Sequence, residues 1–266
     1  MPVRVVYEAA TRAPQMWLRI PLQRPLFTYI LLAAIAIIFV LMTLSGGSLN
    51  ATEQERLLVM WGAKVNWLIA AGEWWRLITA TFLHAGFLHI ALNGYALFLI
   101  GTDLEALVGR ARFAAIYFIS GLAGSVASFT FSSMTGVGAS GAIFGLIGAL
   151  AVYYGLHRRL FGRVGQIQFW NIIAVIVLNV AFGFSGILPV DNSAHLGGLA
   201  AGMAVGYVLC PRYRPGRWLS PTLREVVNVN RGFLPWVAAT LIAVDVVLMF
   251  VISLMLYRMG INLYLY

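Results

Sequence analysis

The sequence predicts an all-α protein that crosses a membrane several times, and three observations predict it. Of its 266 residues, 61% are hydrophobic and 10% charged, whereas soluble globular domains carry about 25% charged residues. That inventory cannot clothe a water-facing surface. The apolar residues fall into long runs, and the 27 glycines are too many for an ordinary soluble helical protein but suit helices whose backbones approach closely in lipid. Third, the net charge of +9 is split into short basic clusters between the apolar runs. Charge placed this way orients a membrane protein and does not track a phosphate backbone, so nucleic acid is not an expected partner.

The runs lie near residues 26–45, 86–102, 113–131, 139–156, 167–187, 194–210 and 234–257. At about 1.5 Å of rise per helical residue, each crosses or nearly crosses a hydrocarbon layer roughly 30 Å thick. The shortest, of 17 or 18 residues, call for tilt, local thinning of the bilayer, or a helix end immersed in a water-filled recess. Residues 1–25 carry Arg4, Arg12, Arg19 and Arg24 with no cleavage site after them, so the first run reads as a retained anchor. An N-terminus on the cytoplasmic side puts 14 of the 18 basic residues on that side, leaving Arg56, Lys64, Arg76 and Arg258 outside. This bias supports seven spans and an outer C-terminus.

The resulting organisation is a cytoplasmic segment 1–25, a six-span core 26–210, a linker 211–233 with Pro211, Pro215 and Pro221, a further span 234–257 and an outer tail 258–266. The connection 46–85 faces outside and holds Trp61, Trp67, Trp74 and Trp75, residues suited to the headgroup level. It is too long for a simple turn and is expected to contain short helices packed on the bundle. A lone Cys210 excludes an internal disulfide framework. No internal repeat points to an inverted-repeat transporter.

Polar residues inside apolar spans cost several kcal/mol unless partnered, so they are the informative ones. His89 and Asn93 lie four apart in the second span, Ser140 begins the fourth, and His195 begins the sixth. All three spans start on the outer side, which places the four residues at one shallow depth. Gly141 and Gly145 adjoin Ser140, and Gly198 and Gly202 follow His195 along one helical face. Two such glycine-lined helices can approach closely enough for a hydroxyl on one to meet an imidazole on the other. Gly136 and Gly138 supply a flexible entrance to the fourth span.

A serine beside an imidazole offers a nucleophile and a general base, which suffice for acyl transfer when the geometry is right. His89, Asn93 and the Ser140 N–H offer donors for a developing oxyanion. Each residue also has a bland reading: Ser140 as a helix cap, the glycines as packing devices. Their conjunction at one depth argues for chemistry. Asp191 is a candidate to orient the imidazole. His84, His89 and His195 are not joined by acidic or thiol ligands at a metal-binding spacing, so neither metal nor organic cofactor is indicated.

These residues resemble the rhomboid family of intramembrane serine proteases. The resemblance rests on His84-Ala85 with His89 and Asn93, on Gly138-Ala139-Ser140-Gly141-Ala142-Ile143-Phe144-Gly145, and on His195-Leu196-Gly197-Gly198 with Gly202. Trp75-Arg76, Glu105 and Gly109 also look like family features, and the coverage runs from about 26 to 210. It implies a rhomboid-like six-helix core plus a seventh C-terminal helix, and a Ser140–His195 dyad with His89, Asn93 and the Ser140 N–H as oxyanion stabilisers. The substrates it implies are transmembrane proteins in the lipid bilayer, cut near the outer end of their helices, with entry past the fifth span. Phe182 and Phe184 stand near that entrance, and a bacterial cytoplasmic membrane is the expected location.

Two departures are visible. Phe144 stands where the family often has a tyrosine stacked beneath the base, which keeps the ring and loses the hydroxyl. Glu105-Ala106-Leu107 stands where a Glu-x-Arg pattern is common, leaving Arg110 or Arg112 as the expected partner of Glu105. For His84, a structural donor to the outer connection is favoured over direct chemistry. Asp245 in the last span is open between an interhelical hydrogen bond and a water-facing or interfacial role. The competing readings are a catalytically silent binder of membrane helices and a transporter. The spacing of the motifs and the retention of both Ser140 and His195 weigh against them.

Overall fold

The computed structural model describes residues 3–7, 16–46, 51–187 and 190–261. Arg12 and the end of the 258–266 tail lie outside the described residues. In chain order the elements are β1 (Val3–Tyr7), β2 (Met16–Ile20), α1 (Leu26–Leu44), α2 (Ala51–Trp61), α3 (Asn66–Ala70), α4 (Arg76–Thr79), α5 (Phe87–Ala96), α6 (Thr102–Val108), α7 (Arg110–Phe131), α8 (Ser140–His157), α9 (Gly162–Gly183), α10 (Asn192–Leu209), β3 (Tyr213–Ser220), β4 (Leu223–Asn228) and α11 (Leu234–Arg258). A π turn at Leu97–Gly101 joins α5 and α6 into one rod, Phe87–Val108.

The membrane part is all-α. Among the described residues, six helices are long and apolar enough to cross a membrane: α1, the α5–α6 rod, α7, α8, α9 and α11. The helix α10 matches α8 at 18 residues but is not among those six. Asn192, Ser193, His195 and its glycines dilute its apolar content. It compensates by position, since it packs mainly between α7 and α8.

Glycine makes that packing possible. A Cβ added at Gly198 or Gly202 would overlap the backbone of Gly141 or Gly145, and one at Gly206 would lie 2.7 Å from Ala149 Cα. On the other side, a Cβ at Gly124 of α7 would lie 2.8 Å from the Ala194 carbonyl oxygen. The helices α7, α8 and α10 therefore touch backbone to backbone, which in lipid supplies the dispersion contact that hydrophobicity cannot. Around them Phe113, Ile116, Tyr117, Leu104, Leu146 and Tyr153 are fully buried and bind α1 and the α5–α6 rod to the trio.

Glu105 is fully buried. The sequence reading expected it to pair with Arg110 or Arg112; instead it accepts from the N–H groups of Phe27 and Thr28 at 2.8 and 2.7 Å and from the Thr28 hydroxyl at 2.7 Å. It thus caps the N-terminus of α1, where exposed N–H groups and the helix dipole favour an anion. Arg110 is exposed, and Arg112 donates to the Asn230 carbonyl at 3.0 Å.

Residues 211–233 do connect α10 to α11, but as a β-hairpin. The strands β3 and β4 pair antiparallel, β4 pairs parallel with β2, and β2 pairs antiparallel with β1, giving the order β1-β2-β4-β3. The N-terminal segment and the linker therefore share one sheet at one end of the bundle. His157, near the end of α8, anchors it: Nε2 accepts from the Tyr213 N–H at 3.0 Å, leaving the Nδ1 proton for the Tyr153 carbonyl at 2.7 Å. Ser140 lies at the opposite end of α8, away from the sheet.

The helix α11 docks beside α7 and α10. Thr130 and Ser253 hydrogen-bond at 2.8 Å, Phe250 meets Phe129 edge-on, and the Arg258 guanidinium donates to the Ala70 carbonyl at 2.7 Å. Asp245 points away from these contacts and is exposed on the outer face of α11, so the interhelical bond weighed from sequence is not made within the described chain.

Candidate functional site

Ser140 opens α8. Two residues earlier, Gly138 has φ +118°, a conformation that side chains with a Cβ rarely adopt, and its N–H donates to the Ala80 carbonyl at 2.9 Å. A Cβ at 138 would lie 2.8 Å from His89 Nε2, 2.9 Å from His89 Cε1 and 3.9 Å from Asn93 Nδ2. Both α5 side chains therefore face the turn that delivers Ser140. The Ala85 N–H donates to His89 Nδ1 at 3.3 Å, so a neutral ring carries its proton on Nε2, the nitrogen on the Gly138 side. Asn93, one turn on, donates to the His89 carbonyl at 2.9 Å, and its amide keeps a second N–H free for another acceptor.

His84 is fully buried and meets the His89 ring edge to face, with centroids 5.2 Å apart. Burial, and then the neighbouring His89, push its pKa down to about 4, so it is a neutral support for His89 at physiological pH.

His195 lies in the first turn of α10, and its ring stacks on Phe144 with centroids 4.2 Å apart and planes 14° from parallel. Phe144 is one turn along α8 from Ser140, and residues four apart share a helix face. The imidazole thus lies over α8 one turn from Ser140. Gly198 and Gly141 set this closeness, because α10 rides directly on the backbone of α8 there. Among the described residues no hydrogen bond joins Ser140 to His195.

Among the described residues Asp191 makes no side-chain hydrogen bond to the imidazole. It is the N-cap of α10: Oδ1 accepts from the Ala194 N–H at 3.0 Å, and Oδ2 accepts a short hydrogen bond from the Ser128 hydroxyl of α7. Arg76, also buried, braces the connection between α1 and α5. Its guanidinium pairs with Glu73 at 2.6 Å and donates to the carbonyls of Val59 at 2.7 Å and Ala63 at 3.0 Å. Trp75 beside it is exposed. Gly145 is held against Ser120 of α7 and Gly202 of α10.

Sequence reasoning missed the group that borders this site. Lys64 is 1% exposed and donates to the carbonyls of Ser132 at 3.1 Å and Met134 at 2.8 Å. Asn66 reaches the carbonyls of Phe129 at 3.2 Å and Ser132 at 3.0 Å. The only signal for either was a lysine in an otherwise apolar stretch. Among the described residues no group of three or more His, Cys, Asp or Glu side chains is placed to hold a metal ion.

The fold and this convergence define a polytopic helical membrane protein whose polar side chains meet at one end of a glycine-packed trio of helices. The chain belongs to the rhomboid family: residues 71–212 match the Rhomboid domain, a stretch that contains His84, His89, Asn93, Ser140, Phe144, Asp191 and His195. It is 46% identical over 180 residues to the rhomboid protease GluP of Bacillus subtilis, covering 67% of this chain and 34% of that protein. It is 43% identical over 159 residues to RHOMBOID-like protein 5 of Arabidopsis thaliana, covering 58% of this chain and 50% of that one. The putative rhomboid protease YdcA of Bacillus subtilis is 36% identical over 166 residues, 60% of this chain and 81% of the relative. The chain thus spans about a third of the first relative's length and half of the second's.

Proposed function

We propose that this chain is an intramembrane serine endopeptidase that cleaves transmembrane helices of other proteins, with Ser140 as nucleophile and His195 as general base. The observation that carries the reading is the stacking of His195 on Phe144, one turn from Ser140. Stacking of this kind fixes the ring plane of the base beside the helix that begins at Ser140. His195 takes the Ser140 proton as Oγ attacks the scissile carbonyl carbon, forming the C–O bond and moving the carbonyl π electrons onto oxygen. Donors for that oxyanion are His89 Nε2–H, the Asn93 amide and the Ser140 N–H, which is unpaired within α8 because it lies in the first turn. Collapse expels the amine, which takes the proton from His195. The imidazole then removes a proton from water as its oxygen attacks the acyl carbon, and returns that proton to Oγ as the acyl C–Oγ bond breaks and Ser140 is freed.

Lateral entry past α9 suits this chemistry. That helix packs chiefly on α8, and toward its end Leu178, Phe182 and the capping Phe184 are exposed. A substrate helix arriving there must unwind near its end, because lipid cannot satisfy freed backbone groups and the polar residues around Ser140 can. The sheet end carries Arg19, Arg214, Arg217 and Arg224, so by the bias of basic residues that side is assigned to the cytoplasm and Ser140 to the opposite leaflet. The test is cleavage of a model transmembrane substrate in proteoliposomes by wild type, Ser140→Ala and His195→Ala. Both variants are expected to fold and to lose cleavage. Equal cleavage by wild type and Ser140→Ala would overturn the dyad.

A further inference from the structure

Lys64 is a buried cation to which the mechanism above gives no task. It sits between α2 and α3, outside the membrane-spanning helices, and makes three kinds of contact. Its ammonium donates to the Ser132 and Met134 carbonyls, at 3.1 and 2.8 Å, just past the end of α7. Its backbone forms a two-way bridge with Gly136, N to O at 2.9 Å and O to N at 3.0 Å. Gly136 in turn lies against both Lys64 and the Ser128 hydroxyl, as an added Cβ there would be 3.4 Å from Lys64 Cβ and 3.5 Å from Ser128 Oγ. Ser128 bonds Asp191, the cap of the helix that carries His195.

We propose that Lys64 is a positioning residue that holds the 132–139 segment, which delivers Ser140, in register with the N-terminus of the helix that carries His195. This rests on the dyad reading above. Lys64 touches neither reacting group; it sets where the two helix starts stand relative to one another. The ammonium suits the task because its bonds to carbonyls are charge-assisted, roughly twice as strong as those of a neutral donor. The surrounding charged groups are few. Asp191 favours the charged form; Arg76 of α4 holds the adjacent Ala63 carbonyl but is itself paired with Glu73; Glu55 of α2 accepts from Thr135 at 3.4 Å on the exposed side. Burial outweighs Asp191 and pushes the Lys64 pKa down to about 8, so the clamp is charged at neutral pH and weakens on the alkaline side.

The experiment measures kcat and KM for a transmembrane substrate in proteoliposomes from pH 6 to 10, with wild type, Lys64→Met and Ser140→Ala, and amide hydrogen exchange in parallel. Lys64→Met is expected to lower kcat roughly 10- to 100-fold with KM within about twofold, as for displaced reacting groups with an intact binding path. Wild-type kcat should fall above about pH 8 while the Met variant shows no such limb. Amides of 133–139 and 192–195 should exchange faster in the Met variant. Wild-type kcat in Lys64→Met, a loss confined to KM, or unchanged exchange in both segments would each overturn the proposal. If Lys64→Met does not fold, the wild-type profile decides, and the absence of an alkaline fall sinks the idea. Undiminished cleavage by Ser140→Ala would fail the dyad instead, and the exchange measurement would still judge the clamp.

Discussion

Replacing Gly198 with alanine should separate chemistry from folding. The new Cβ would lie 2.7 Å from the Gly141 carbonyl carbon and 3.1 Å from its Cα, and would overlap the carbonyl oxygen. All three are backbone atoms of α8, so no flexible side chain can yield, and α10 must move off α8 by about 1 Å to reach ordinary contact in a close-packed interior. Helix propensity favours alanine over glycine by up to about 1 kcal/mol, and overpacking costs about 1–3 kcal/mol; the second wins. The larger effect is on rate. His195 rides on α10, one turn from the new methyl, and misplacing a reacting group by about 1 Å can cost roughly 100-fold. Gly198→Ala should therefore lose about two orders of magnitude in kcat with a modest drop in melting temperature. Gly94→Ala is the control, since its nearest obstruction is Leu32 Cδ2 at 3.9 Å; it should keep wild-type cleavage. The assay is substrate cleavage in proteoliposomes alongside thermal unfolding. Wild-type cleavage and stability in Gly198→Ala would refute the claim that backbone contact between α8 and α10 sets the site.

Three further outcomes follow from the geometry. Glu105→Ala, which strips two N–H groups and a hydroxyl of their acceptor, should destabilise the protein by about 1–3 kcal/mol in thermal unfolding, with cleavage unchanged well below the transition. Phe144→Ala removes the ring beneath His195 and should lower kcat roughly 2- to 10-fold, as a stacked aromatic pair is worth about 0.5–1.5 kcal/mol, while Phe144→Tyr should keep the rate. Asn93→Ala should reduce kcat roughly 10- to 1000-fold, in line with loss of one oxyanion donor, and leave KM nearly unchanged.

Much of the bundle was legible because lipid forbids unpartnered polar groups. Most of the long apolar runs form helices able to span the membrane, and the few polar residues inside the runs, His89, Asn93, Ser140 and His195, stood out against that background. Glycines four apart announced close helix contact, and the structure places Gly141 and Gly145 against Gly198 and Gly202. Most of the misses depend on contacts between residues distant in sequence. Glu105 looked for a cation nearby in the chain, yet its partners are N–H groups 77 and 78 residues away, which no charge pattern reveals. Asp191 was close to His195 in sequence, but a helix start claims the side chain four residues upstream for its own donors. The strands β3 and β4 were hidden by prolines and arginines that resemble a loop, and the pairing of β4 with β2 joins chain segments about 200 residues apart. Lys64 carried no motif at all, and only the fold brings Ser128, Gly136 and Asp191 around it.

The account stands on Ser140 being activated by His195, and a serine-directed fluorophosphonate reports that activation without any substrate. Intact-mass analysis of the lipid-reconstituted protein should show one adduct, mapped by peptide sequencing to Ser140, with none in Ser140→Ala and very little in His195→Ala. Labelling of Ser140→Ala to the same extent, or of His195→Ala at the wild-type rate, would contradict it.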